Sequence, residues 1–102
     1  MIITTTEGVP GRQISEVLGI AKGCCMKGAP TILSSFSDTH HISKMLADVT
    51  AVEDDAIKRL TENATMLGAD AIIGTRFQST ALEDERNLKY VVTVYGTAVK
   101  LA

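Results

Sequence analysis

The chain has 102 residues, a formal net charge of −2, 45% apolar residues, two Phe, two Tyr and no Trp. At this length folding hides roughly 60–70% of the accessible surface, enough for one domain over residues 1–102 with one aliphatic core and little aromatic stacking surface. The acidic balance, with no local Lys/Arg cluster, argues against nucleic acid as a partner, and the lack of about 18 consecutive apolar residues argues against a membrane-spanning helix.

The start, Met1-Ile-Ile-Thr-Thr-Thr6, has no basic and apolar leader pattern. Two adjacent cysteines, Cys24 and Cys25, are poor candidates for an ordinary structural disulfide and agree with a reducing compartment. The expectation is a cytoplasmic protein.

Ile2 to Thr6 is β-branched and ends at Glu7-Gly-Val-Pro-Gly11, which predicts a short first strand and a turn. From Arg12 to Lys27 no helical stripe survives the glycines. Alternation instead predicts a second strand with Ile14, Leu18, Ile20, Cys24 and Met26 on one face and Val17, Gly19, Ala21, Gly23 and Cys25 on the other. The second face is small, which suits close approach of another backbone or subunit, and glycine in a strand equally marks a bulge. Gly28-Ala-Pro30 is expected to end the strand, with a loop over Thr31 to Ser37 and an N-cap at Ser37 or Asp38.

The apolar residues Ile42, Met45, Leu46, Val49, Val52, Ala56, Leu60, Ala64 and Leu67 recur at steps of three and four, predicting one long amphipathic helix. The stripe passes Thr50 without a change of phase, so the helix is expected to be continuous, and Gly68 supplies the left-handed residue that stops it. A helix from His41 to Leu67 would be roughly 40 Å long, matching a strand of about twelve residues. A strand is predicted from Ala69 to Gln78, a polar connection from Ser79 to Asn87, and a final β-rich strand from Leu88 to Leu101. In that strand Val92 and Val94 face one way, and Val91, Thr93, Tyr95 and Val99 the other. One helix covers only one sheet face, so the apolar surface on the other argues for self-association.

Four landmarks are identifiable: Ile2-Ile-Thr-Thr-Thr6, Gly11-Arg-Gln-Ile14, Leu67-Gly-Ala-Asp-Ala-Ile-Ile-Gly74 and Tyr95-Gly-Thr-Ala-Val-Lys100. In this order they resemble the YbjQ-like family of small uncharacterised bacterial proteins, over nearly the whole chain. The resemblance implies an α+β fold with a dodecin-like β-α-β-β subunit and an extra short N-terminal strand. It also implies an antiparallel sheet covered by one long helix, a homo-oligomeric ring, commonly a homopentamer, and heavy-metal binding. Between Gly28 and Met45 this chain is shorter than the family pattern and carries Thr39-His40-His41.

Cys24, Cys25, His40 and His41 are the soft-metal ligand types present, and thiolate with imidazole suits zinc or a heavier soft ion. Their spacing is unlike that of zinc motifs: neighbours on a strand point to opposite faces, and neighbours on a helix lie about 100° apart. The competing reading makes Cys24 a small buried hydrophobe on the helix side and the histidines exposed residues of a helix first turn. A ring would let one ligand per subunit repeat around an axis.

The run Glu83-Asp84-Glu85 reads as a solvated hairpin, and Asp70 as a residue whose carboxylate fixes a turn by accepting from backbone N–H groups. A Cys–His nucleophile pair lacks any orienting partner, and flavin storage by analogy with dodecins lacks a Trp platform. Binding rather than catalysis is therefore expected, with no enzyme activity, no nucleic acid and no membrane partner. The alternative is a scaffolding or small-molecule-binding ring without metal.

Overall fold

The computed structural model describes residues 1–30, 39–83 and 87–102, and the backbone alone at 28–30, 39–48, 83 and 87–88. In chain order the elements are β1 (Ile2–Ile3), β2 (Ile14–Pro30), α1 (Thr39–Met66), β3 (Ala71–Glu83) and β4 (Asn87–Leu101). They form a four-stranded sheet in the order β1-β3-β4-β2, with α1 packed on β2 and β4. The body is elongated, 55 × 22 × 16 Å.

The helix α1 runs through Thr50 without a break, as its unbroken apolar stripe predicts. Val52, Ala56, Leu60 and Ala64 are buried with Ala21, Ile72, Val92, Val94 and Ala98. At its end Gly68 takes φ 81°, and the Ala69 amide donates to the Ala64 carbonyl at 3.0 Å while the Gly68 amide donates to Thr65 at 3.0 Å. These two bonds satisfy carbonyls that the last helical turn would leave open. They also turn the chain directly into β3.

Three corrections to the sequence reading have physical reasons. The sheet is mixed, not wholly antiparallel: β1 pairs parallel with β3, because the chain starts beside the beginning of β3 and then crosses to the far edge to enter β2. β2 continues through Gly28-Ala29 to Pro30, paired with Asn87. The Lys22 amide points away from β4, to Asn63 Oδ1 at 3.0 Å, and the two-residue period puts the nitrogen of Pro30 on that same free side, where a missing N–H interrupts no ladder. Finally, Ser79 to Glu83 belong to β3, each paired with a β4 residue between Leu88 and Val92. The expected loop at 31–37, the N-cap at Ser37 or Asp38, and residues 84–86 lie outside the described residues.

The face assignment of β2 also changes. Ala21 and Gly23 are buried and Cys25 packs against the core, whereas Ile20 is 74% exposed and Met26 59% exposed. The small-residue face is the one under the helix. A Cβ on Gly23 would collide with the Ala56 carbonyl oxygen and lie 2.5 Å from the Leu60 nitrogen, so the helix backbone itself rests on the strand there. Leu18 nonetheless packs toward the core, because a bulge between Val17 and Gly19 inserts one residue and reverses the alternation.

Asp70 has the structural role its position predicts. Its Oδ2 accepts from the Leu101 amide at 3.0 Å, its own amide donates to Val99 at 2.9 Å, and its carbonyl accepts from Ile2 at 3.3 Å. One residue thus ties together β1, the start of β3 and the end of β4.

Gly23→Ala should lower stability by about 2–3 kcal/mol through overpacking, a drop of roughly 10–20 °C in melting midpoint, whereas Gly8→Ala, with open space at its Cβ, should melt with the wild type. Thermal melts at one protein concentration check this; an unchanged midpoint for Gly23→Ala would contradict the close helix–strand approach. Asp70→Ala should cost about 1 kcal/mol for the lost bond to an exposed carboxylate, read as a shift in urea midpoint without a change in slope.

Candidate functional site

The strand period that turns Ala21, Gly23 and Cys25 toward the helix turns Lys22, Cys24 and Met26 the other way. On β4 the residues opposite these three are Tyr95, Thr93 and Val91, and on β3 the next row is Arg76, Gln78 and Thr80. The sheet therefore has an open face crossed by the rows Lys22–Tyr95–Arg76, Cys24–Thr93–Gln78 and Met26–Val91–Thr80. Cys24 is exposed in the middle row, and the Thr93 hydroxyl donates to its Sγ at 3.6 Å.

The sequence-predicted ligands separate. Cys24 stands on the open face, contrary to its reading as a buried hydrophobe on the helix side, and it is the half-buried Cys25 that lies toward the core. One ion does not reach both thiols through the sheet. His40 and His41 fall in the first turn of α1, about fifteen residues before Ala56, or roughly 22 Å along the axis. Cys25 lies two residues beyond Gly23, roughly 7 Å, so the histidines sit about 15 Å further along the molecule than the cysteines. No group of three or more His, Cys, Asp or Glu converges on one point among the described residues.

The structure does add a donor that sequence spacing alone leaves inside the core. Met26 shares the face and strand of Cys24 at an i, i+2 spacing, and that face is open. A thiolate with a neighbouring thioether is a soft pair, suited to two-coordinate ions rather than to a closed tetrahedral zinc site. The signal was in the alternation; what the alternation lacks is which face the helix covers.

A family model described as "Putative heavy-metal-binding" matches residues 1–102. The chain belongs to the YbjQ family. A YbjQ relative from Colwellia psychrerythraea, named only as a UPF0145 protein, is 36% identical over 111 residues, covering 99% of this chain and 98% of that one. Another UPF0145 protein, from Halobacterium salinarum, is 37% identical over 107 residues, with 100% of both chains covered. Among solved structures, a DUF74-family protein of unknown function from Pediococcus pentosaceus superposes with a TM-score of 0.69 at 23% identity, covering 100% of this chain and 98% of that one. That likeness bears on the fold alone. Among the described residues no helix is long and apolar enough to cross a membrane.

The opposed thiols should differ in reactivity. Under native conditions Cys24 should react with a small disulfide reagent well before Cys25, and Cys24→Ser should remove the fast phase while Cys25→Ser keeps it; equal rates for the two single variants would contradict the face assignment.

Proposed function

We propose that this YbjQ protein is a homo-oligomeric binding protein, a cytoplasmic ring of dodecin-like subunits, commonly a pentamer. Each subunit holds a soft metal ion at Cys24 and performs no catalysis. The observation that carries the reading is the exposed Cys24 thiol beside Met26 on an open sheet face. The order β2-α1-β3-β4 behind a short β1 supports the dodecin-like subunit, and the exposed Ile20, Met26 and Tyr95 support burial of that face by self-association. The family description supports the metal.

The donor set decides which metal fits. Cys24 and Met26 offer sulfur on one face, while Cys25 lies on the opposite face of the strand and His40 and His41 belong to the first turn of α1. A copper(I) or mercury(II) ion, content with two soft ligands, fits better than zinc, which seeks four. The second reading is a scaffolding or small-molecule-binding ring without metal, favoured by the apolar side chains of the open face, which self-association alone would account for.

Native mass spectrometry of the freshly reduced protein after mercury(II) addition tests both parts. The expected spectrum is an oligomer carrying one metal mass per subunit, stripped by a thiol chelator, lost in Cys24→Ser and kept in Cys25→Ser. An oligomer without uptake would leave the metal-free ring, and a monomer would remove the ring.

A further inference from the structure

Among the described residues two long strand edges of this subunit lack a strand partner over part of their length, and they complement each other. On β3 the N-terminal segment covers only the first part of the edge. The Thr4 amide donates to Ile72 at 3.0 Å, Gly74 donates to Thr6 at 2.7 Å, and Thr75 donates to Thr4 at 3.0 Å. Because the Thr75 amide points away from β4, the period of two points the amides of Phe77, Ser79 and Ala81 the same way. Among the described residues nothing pairs with them.

The run Phe77-Gln-Ser-Thr-Ala-Leu82 contains no charge, Gly or Pro, and Phe77 and Leu82 are 45% and 52% exposed. A free edge of this length and composition is a template for another strand.

On the other side of the sheet, the outward amide of Lys22 is taken by Asn63 of α1. The outward groups of Cys24 and Met26 follow on the same edge, which pairs with no strand among the described residues. The reach of Asn63 also shows that α1 overhangs this edge. At the β3 side the opposite holds: α1 packs on β2 and β4, and the exposed Phe77 lies beside the buried Val94 on the helix side of the sheet without helix cover. One subunit has a helix projecting past its edge, and the other edge has an apolar flank without one.

We propose that a second copy of this chain docks the Cys24–Met26 edge of its β2 on the β3 edge at 77–83, so that one sheet continues from subunit to subunit and the overhanging helix covers Phe77. The proposal rests on the ring reading above and names its interface. Both β2 and β3 run antiparallel to β4, so a rotational repeat makes this pairing parallel. It joins two different surfaces, the kind of contact that builds a ring when its rotation closes. Three long strands then separate successive Cys24 thiols by roughly 14 Å, which makes each metal site a property of one subunit.

The test uses two proline variants. Ser79→Pro removes an outward amide of β3, and Met26→Pro removes one of β2; neither amide bonds to β4. Light scattering after gel filtration, with circular dichroism as the folding check, should give folded single subunits for each variant. An equimolar mixture should give a mass of two subunits, since each variant retains one good edge.

Folded variants that remain oligomeric in a protein whose wild type is oligomeric would overturn this interface and leave the ring. Variants whose mixture stays monomeric would overturn the pairing of unlike edges, and a monomeric wild type would remove both ring and interface. Should either variant unfold, amide exchange on the wild-type oligomer decides. Protection of Phe77, Ser79 and Ala81 equal to that of β4 supports the pairing, and exchange at the rate of an open strand overturns it.

Discussion

The contact between the α1 backbone and Gly23 constrains much of this molecule. Without a side chain at that position, the Ala56–Leu60 turn descends onto β2 to within a distance no Cβ permits. The helix consequently sits over one side of the sheet, and the aliphatic core forms between Leu60, Ala64, Ile72, Val92 and Val94. With β2 turned so that its small residues lie inward, its larger ones have only the opposite face available. The exposure of Ile20, Cys24 and Met26 and the bareness of the β3 flank share this one cause.

Most of the architecture was legible in the sequence because its signals were periodic and long. The stripe from Ile42 to Leu67 specifies the helix, Gly68 its stop, and the valine-rich segment from Leu88 the central strand. The landmark residues identified the family. The misreadings concern signals that depend on neighbours. Ser79 to Glu83 look like a loop alone and become a strand because Val91 and Val92 present a ladder to them.

Gly28-Ala29-Pro30 look like a break, yet at an edge they still pair with β4. The reading of Cys24 as a buried hydrophobe set the wrong face of β2 under the helix, whereas the small Ala21 and Gly23, whose face suits close approach of another backbone, record where the helix lies. A single bulge at Gly19 was enough to hide the change of phase.

The candidate site illustrates the same dependence. Adjacent cysteines suggest a pair in sequence, yet the pleat of an uninterrupted strand separates them as effectively as distance would, and the sheet lies between. Cys24 and Met26, two positions apart, are the residues that share an environment. Soft donors two residues apart make a sparse coordination sphere, and ions that accept few ligands are the ones such a sphere suits. The histidines belong to the first turn of the helix, well along its axis from the turn that meets Gly23.

The position of β4 in the middle of the sheet has a consequence for how the chain reaches this state. Both β2 and β3 are hydrogen-bonded to β4, and β4 is the last element in chain order. During synthesis β2 and α1 emerge first and meet through Gly23, but β2 has no strand partner until residues 87 to 101 have left the ribosome. The Ile14–Leu101 pair closes nearly the full length of the chain. Folding is therefore governed by long-range closure, and until β4 is available the nascent helix–strand pair presents its unpaired edges to chaperones and to other nascent copies.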